Sequence, residues 1–459
     1  MFSNQKKVHL MGIGGIGMSG IAQILLAQGC RVSGCDVKAS SLTEKLQQLG
    51  ANIVIGHAPD HLDDVEVLVY SSAIAKDNPE LVGAYARNLV VLWRAQALAL
   101  LANQKKTISV TGAHGKTTTS SMIAHILAKC NLKPTICVGG ELFSLNGNAF
   151  RGESNYFVLE ADESDGSFLH LAPLYSVVTN IDREHLDYYR DLEHICATFR
   201  AFLSNTRKEG AIFFCQDDPM LSKVVSSLGI TALGYGFSAD AAVTARDIVV
   251  ESGRSRFTFF EREKALGEVT LEIPGRHNIS NALAAIAVGL KIGLDFSAIC
   301  QALTSFKGVR RRMELKLREK GILVFEDYAH HPTEIKVTLE ALKTFGPKRI
   351  LAVFQPHRYS RTKFLLPEFG RCFAGVDQLI VTDIYAASET PIAGISGRCV
   401  CQEAEKAKVR EVFFLPKQEI VAHLLGQLRP GDLVAIMGAG DIGNLSNVLA
   451  EAVKKSDQL

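Results

Sequence analysis

A lysine set behind two glycines and ahead of three threonines is suited to meet phosphate. The run Thr111-Gly112-Ala113-His114-Gly115-Lys116-Thr117-Thr118-Thr119 lies between the apolar stretch Thr107–Val110 and the helix-like stretch Ser121–Lys129. This context predicts a strand, a tight turn and a helix start. Gly112 and Gly115 let the backbone hug a polyphosphate, and successive N–H groups from Ala113 and His114 through Thr118 point at it. Lys116 adds positive charge where β- and γ-oxygens lie, and Thr117 offers a hydroxyl to a magnesium ion. The spacing is G-x-x-G-K-T, because Val110 stands where the longer phosphate loop has its first glycine. A glycine-rich turn can be purely structural, but Lys-Thr directly after the second glycine argues for a nucleotide.

Further chemistry gathers at strand ends. The apolar run Tyr156–Leu159 leads into Glu160-Ala161-Asp162-Glu163-Ser164-Asp165, which makes Glu160 a candidate metal ligand. Ser176–Thr179 leads into Asn180-Ile181-Asp182-Arg183-Glu184-His185-Leu186-Asp187. His185 is a second metal candidate there, although a lone histidine more often caps or is solvated. Asn278 precedes the helical stretch Ile279–Gly289 and reads equally well as its N-cap or as a base-recognising side chain. Arg311 and Arg312 lie in the basic turn Phe306–Glu314 and suit phosphates or carboxylates. Two later strands, Ile322–Phe325 and Arg349–Phe354, deliver Tyr328 and His330, then His357, Arg358 and Arg361. Core packing does not need that density of histidine and arginine, whereas a carboxylate-bearing ligand would use it.

The N-terminus carries Gly12-Ile13-Gly14-Gly15-Ile16-Gly17 between the strand-like Val8–Leu10 and the helical Met18–Gln28, with Asp36 closing a second strand, Arg31–Cys35. In a dinucleotide fold such an acid takes ribose hydroxyls. The same glycine spacing recurs at Gly438–Gly443, where we assign no cofactor, so the pattern alone is weak evidence.

These residues need sheets to hold them. A chain of 459 residues suggests about three domains. The expected division is 1–102, 103–316 and 317–459, all α/β. The first is Rossmann-like, the second is a phosphate-loop ATPase-type domain with a small antiparallel annex over Val249–Ile273, and the third is again Rossmann-like. The first domain lacks the second mononucleotide half of a full NAD domain, so its glycine turn suits a shorter diphosphate. Lysine plus arginine number 50 against 48 acidic residues, which argues against a general nucleic-acid or membrane-surface binder. The 10 cysteines are scattered without a C-x-x-C pair, as expected of free thiols in a reducing compartment. No apolar run is long enough to span a bilayer, so we expect a cytoplasmic protein without membrane insertion.

Taken together, T-G-A-H-G-K-T-T-T, E-A-D-E-S-D, N-I-D-R-E-H-L-D, P-G-R-H-N, D-Y-A-H-H-P-T-E and F-Q-P-H-R-Y-S-R-T strongly resemble the Mur ligase family, from residue 8 to about residue 445. Within it, G-I-G-G-I-G-M-S-G and Q-P-H-R-Y-S-R-T look like the branch that joins L-alanine to UDP-N-acetylmuramate. A murein tripeptide recycling ligase shares H-G-K-T-T-T but lacks H-R-Y-S-R, so His357–Arg361 separates the two. The resemblance implies ATP and Mg2+ (possibly Mn2+) as cofactors and an acyl-phosphate intermediate in peptidoglycan precursor synthesis. By motif match, Lys116 stabilises the transferring phosphoryl group, Thr117 and Glu160 hold magnesium, and His185 holds a second metal ion. Asn278 meets adenine, with Arg311 or Arg312 near the nucleotide. Tyr328, His330, His357, Arg358 and Arg361 shape the alanine and muramoyl site. Gly12, Gly14, Gly15 and Gly17, with Asp36, Ser71 and Ser72, hold the uridine diphosphate. The partners implied are these small molecules, with the chain a monomer or weak homodimer. Ala113 replaces a threonine usual in the family's loop, and Leu192–Arg200 offers none of the modified lysine used by other branches. The reading from another class, an NAD(P)-dependent oxidoreductase built on Gly12–Gly17 and Asp36, leaves Lys116-Thr117 unexplained.

Overall fold

Strands buried on both faces read as continuous apolar runs, and this chain has many, including Val67-Leu68-Val69 and Ile350-Leu351-Ala352-Val353-Phe354. The computed structural model describes residues 1–143, 145, 147–185, 188–387 and 389–456. Leu186 and Asp187 of the His185 motif lie outside them. The architecture is three-domain α/β with three sheets. Two compact units result. One comprises Met1–Arg246, Thr258–Val269 and Ser280–Phe306; the other comprises Asp247–Phe257, Thr270–Ile279 and the chain from Lys307 onward. Among the described residues, no helix is long and apolar enough to cross a membrane.

The first sheet runs Asn52–Ile55, Arg31–Asp36, Lys7–Met11, Val67–Tyr70, Val90–Trp93, all parallel. Strand order reverses between Lys7–Met11 and Val67–Tyr70. The glycine turn after the former and Ser71-Ser72 after the latter therefore share the crevice where doubly wound sheets take ligands. The helix begins at Ile16, two residues earlier than the sequence suggests, because Gly15 already serves as its N-cap.

The second sheet is mixed. Its middle is parallel, with Lys106–Thr111 between Tyr156–Glu160 on one side and Tyr175–Val178 on the other. That order puts the phosphate loop, the Glu160 segment and the Asn180 segment side by side at one sheet edge. The strands Val243–Glu251, Arg254–Glu261 and Lys264–Leu271 form the expected annex at the far side. The turn between the first two has positive φ at Ser252 and Gly253 (50° and 85°), the backbone that a two-residue hairpin requires.

The third sheet runs Glu314–Glu319, Ile322–Asp327, Asp432–Met437, Arg349–Phe354, Gln378–Val381, Glu411–Phe414, with only the first strand antiparallel. Alternation puts Ala352 and Phe354 in one core and Leu351 and Val353 in another, so helices cover both faces.

One expectation fails. The helix predicted to start after Asn278 spans Arg276–Ile292, so Asn278 lies inside its first turn and is not the N-cap. The N–H groups of Asn278 and Ile279 bond to Gly275 O, and the Asn278 amide donates to Pro274 O at 2.7 Å. Gly275, with φ 108°, makes the turn that Asn278 was expected to cap.

In the first unit, His125 of helix Lys116–Lys129 bonds through Nε2 to Ala302 O (3.0 Å) and Ser305 Oγ (2.9 Å), edge-on to Phe306. Burial pushes its imidazole down to about 4, against the pull of the Ala302 carbonyl. The folded chain keeps it neutral while the unfolded chain protonates near 6.5. Unfolding thus takes up a proton between those values, and stability falls as pH falls through that window. The contribution is about 3 kcal/mol. Urea unfolding at pH 7 and pH 4.5 should show His125→Gln, whose Nε2 can keep the donor, losing less stability on acidification than the parent. Equal losses would contradict it.

Candidate active site

The phosphate loop is made by two left-handed glycines. Gly112 (φ 128°) lets the chain leave Thr111 beside the next strand end, and a Cβ there would stand 2.2 Å from Thr179 Oγ1. Gly115 (φ 84°) is the N-cap of Lys116–Lys129 and fits against Asn281, 2.7 Å from where its Cβ would be. Gly112→Ala should cost about 3 kcal/mol or more through overlap plus backbone strain, and should abolish ADP binding. Gly56 has φ 98° but open space around it. Gly56→Ala should show only the backbone strain, about 1–2 kcal/mol, and keep ADP binding. Denaturation and calorimetric titration of both variants check this pair.

Asn180 straps the loop. Its backbone O accepts from Ala113 N–H (3.2 Å), its side-chain oxygen accepts from His114 N–H (2.8 Å), and its amide donates to His114 O (3.0 Å). This corrects one expectation: the Ala113 and His114 N–H groups are turned to Asn180 and not to a phosphate. The N–H groups of the first helical turn, Lys116 to Thr118, have no carbonyl within the helix to bond, which is the arrangement that suits an anion at a helix N-terminus. The His114 ring is held by Asp182, Nε2 to Oδ2 at 3.0 Å.

Lys116 folds back over the loop, donating to Gly112 O (2.6 Å), Ala113 O (3.2 Å) and Glu163 Oε1 (2.6 Å). Burial opposes its charge, but the Glu163 carboxylate, then Glu160 and Asp162, outweigh that and hold it above the usual lysine range. Glu163 is itself buried and accepts a further bond from Thr111 Oγ1 at 3.3 Å. His185 Nε2 lies 3.6 Å from Glu163 Oε1 and 3.7 Å from Glu184 Oε2, and one donor atom from each of the three falls within 4.8 Å of the others. Of the expected metal set, Thr117 is in the first helical turn, and Glu160 accepts the Gly139 N–H at 2.9 Å. The structure groups His185 with Glu163 and Glu184, which the sequence reading did not single out. A magnesium ion prefers oxygen ligands, and this carboxylate-rich edge supplies them.

Asp36 accepts the N–H of Gly14 (2.9 Å) and of Val37 (2.8 Å), so its carboxylate shapes the first glycine turn. A Cβ on Gly12 would lie 3.1 Å from Ser71 Cβ, which brings Gly12 and the Ser71-Ser72 loop together. Arg94 joins this region to the carboxylate segment. It stands 3.3 Å from a Cβ on Gly17 and reaches Asp162 (3.4 Å), Ser167 (3.5 Å) and Asp165 (3.6 Å). Burial works to raise Asp162, yet Arg94 and then Lys116 keep it below the usual carboxylate range.

In the second unit, Tyr328 lies edge-on to His330, with the Arg311 and Arg312 guanidiniums 4.9 and 5.0 Å from its ring centre. Arg311 is also bonded to Glu326 (2.9 Å) and to the carbonyls of Gly438 (3.0 Å) and Gly440 (2.9 Å), so it closes the second glycine-rich loop. Arg312 lies 3.7 Å from Glu334. His330 and His357 approach edge to face at 5.7 Å, and His357 stacks on Tyr385 at 5.6 Å. Arg361 Nη1 donates to His357 Nδ1 at 3.1 Å, which places the ring proton on Nε2. Burial, then the neighbouring His330, Arg361 and Arg358, push His357 down to about 3. Arg358 takes φ 70°, a strained value for a side-chain-bearing residue, at the start of helix Tyr359–Phe364.

Three family models cover most of the chain: "Mur ligase family, catalytic domain" over residues 7–106, "Mur ligase middle domain" over 110–289 and "Mur ligase, glutamate ligase domain" over 311–440. A UDP-N-acetylmuramate–L-alanine ligase of Syntrophotalea carbinolica is 44% identical over 458 residues, 100% of each chain. The chain belongs to the Mur ligase family. Among solved structures, the UDP-N-acetylmuramate-alanine ligase of Thermotoga maritima matches with a TM-score of 0.84 at 29% identity, covering 98% of this chain and 100% of that one. A murein peptide ligase of Psychrobacter arcticus shares the fold, with a TM-score of 0.72 at 23% identity over 98% of this chain and 99% of that one. The Mur ligase motifs name residue types, and the structure adds which of them meet. Glu163, Glu184, Asn180 and Arg94 escaped the sequence reading. Only the two strand-end motifs, each holding several carboxylates, hinted at the first two.

Proposed function

We infer that this chain joins L-alanine to the lactyl carboxylate of UDP-N-acetylmuramate, cleaving ATP to ADP and phosphate, in peptidoglycan precursor synthesis. The observation that carries this reading is the full-length 44% identity to a ligase of that name. The site chemistry agrees with it. A carboxylate oxygen attacks the γ-phosphorus, the bond from that phosphorus to the β–γ bridging oxygen breaks, and ADP leaves. The neutral amine of alanine then adds to the acyl carbon, and phosphate departs from the tetrahedral intermediate. Every reactant but the amine is anionic, so the protein's task is positioning and charge neutralisation.

Lys116 and the first-turn N–H groups of Lys116–Lys129 take the phosphates. Magnesium, when bound, neutralises phosphate charge; Glu163, Glu184 and His185 are grouped to hold it, and Thr117 and Glu160 are the ligands implied by family resemblance. The Gly12–Gly17 turn with Ser71 and Ser72 takes the uridine diphosphate. Arg358 and Arg361 take a carboxylate, and Asn278 lies at the adenine. A His357 pushed down to about 3 is too weak a base to take the amine's proton at neutral pH, and His330, beside it at 5.7 Å between ring centres, is the proton acceptor we assign. The domain division we assign is 1–102, 103–316 and 317–459, although strand Glu314–Glu319 of the third sheet crosses its second boundary, and the cytoplasm is the compartment for nucleotide-linked substrates.

The test is an amino-acid panel with ATP and UDP-N-acetylmuramate. ADP release should require both UDP-N-acetylmuramate and L-alanine. Equal release with either omitted would sink the assignment, and preference for a murein tripeptide over L-alanine would move the chain to the recycling branch.

A further inference from the structure

Beneath the first glycine turn lies a group of side chains that the ligation does not use. His9 comes from strand Lys7–Met11, Cys35 from strand Arg31–Asp36, His57 and His61 from the connection after strand Asn52–Ile55, and Glu80 from helix Pro79–Ala86. Cys35 and Glu80 are 0% exposed and His9 is 1%. They converge on the Glu80 carboxylate: His9 Nε2 is 2.6 Å from Oε1, and Cys35 Sγ and His57 Nδ1 are each 3.2 Å from Oε2. His61 Nδ1 is 3.5 Å from the same Oε2. One donor atom each from His9, Cys35, His61 and Glu80 lies within 4.8 Å of all the others.

His9 Nε2 pairs with Glu80 Oε1 at 2.6 Å, whereas the buried His61 Nδ1, 3.5 Å from Glu80 Oε2, makes no hydrogen bond. Buried polar atoms left so cost about 1–3 kcal/mol each, and native chains keep few of them. The far nitrogen of His9 is meanwhile fixed by Ser33 Oγ at 2.8 Å, the arrangement that orients a metal-bound imidazole through its other nitrogen.

We propose that His9, Cys35, His61 and Glu80 form a binding site for a zinc-class divalent cation. Two imidazole nitrogens, a thiolate and a carboxylate are a borderline-soft donor set, which suits zinc and not magnesium, whose ligands are oxygens. Binding breaks the Cys35 S–H bond, the electron pair stays on sulfur, and the proton leaves to solvent. Thiolate and carboxylate then balance the two positive charges, so the buried site is neutral. His9 Nε2 and Glu80 Oε1 part by about 0.8 Å to sit tetrahedrally on one ion. His57, 3.2 Å from Cys35 Sγ, is placed to donate to the bound sulfur. His57 and His61 are 16% and 15% exposed, so the ion enters from their side. The site also reaches the turn above: Cys35 O accepts the N–H groups of Gly12 (2.8 Å) and Ile13 (3.1 Å). The cation therefore stiffens the floor of the turn proposed for the uridine diphosphate.

The test is a cobalt(II) titration of the metal-free full-length chain. The expected result is a thiolate-to-cobalt charge-transfer band that saturates at one cobalt per chain and is reversed by zinc, any cobalt held by Glu163, Glu184 and His185 being silent in that band because it has no thiolate. Cys35→Ser should lose the band, His61→Ala should weaken binding about tenfold or more, and His185→Ala, at the nucleotide edge, should leave both unchanged. A parent chain without the band overturns the proposal whatever the variants do. So does a band that survives Cys35→Ser or is lost in His185→Ala.

Discussion

Lys116→Ala should lower turnover by about 10³-fold, the scale on which one preorganised cationic or N–H donor acts on a developing charge. The ammonium has its three donors placed on Gly112 O, Ala113 O and Glu163 Oε1, so it is positioned before any nucleotide arrives. Its loss also strands Glu163, whose side chain is 4% exposed, and unpairing a buried carboxylate costs about 3–5 kcal/mol. A fall in activity could then report a fall in folding. Lys116→Met combined with Glu163→Gln separates the two when compared with Glu163→Gln alone, since Glu163 is also grouped to hold magnesium: the uncharged pair should recover most of the stability of the parent, and its turnover should lie well below that of Glu163→Gln. Stability comes from urea denaturation and turnover from ADP release on the same preparations. Activity within tenfold of the parent in the stable double variant would remove Lys116 from the phosphoryl-transfer step.

That pair also marks where sequence reasoning ends. The loop, its helix and the flanking strands were legible, because glycines with positive φ, an apolar strand and a helix start leave local signatures. The Rossmann-like character of the first domain followed from alternating strand and helix patterns, while the reversal of strand order at its glycine turn came from the structure. The partner of Lys116 was not legible. Glu160, Asp162, Glu163 and Asp165 are chemically alike within six residues, and only burial against Thr111 and Tyr189 selects Glu163. Asn278 failed for a related reason: its side chain suits an N-cap, but the preceding Gly275 turns the chain first and the helix has already begun. Asn180 and Arg94 act on segments distant in sequence, 66 residues away for Asn180 and His114, and 68 for Arg94 and Asp162. Their targets depend on strand order, which no local pattern prints.

Arg361→Ala should raise KM for a carboxylate-bearing substrate, UDP-N-acetylmuramate or L-alanine, by about 10–100-fold, since a charge-assisted hydrogen bond contributes about 1.5–3 kcal/mol. The side chain does two things. Its guanidinium supplies a planar fork for a carboxylate, and one arm donates to His357 Nδ1 at 3.1 Å and to His357 O at 3.2 Å. Removing it takes away a positive charge that helps hold His357 down near 3, so the imidazole should move upward, by less than its full displacement because burial is the larger cause. Arg361→Lys keeps the charge but not the fork, and it should leave His357 depressed while KM stays high. The two variants thus divide electrostatics from geometry: NMR titration of the His357 ring reads the first, and KM measured separately for each substrate reads the second. If Arg361→Lys restored KM to within about twofold, charge alone would account for carboxylate binding at this position. If neither variant changed KM for either substrate, Arg361 would be only the brace that fixes the His357 tautomer.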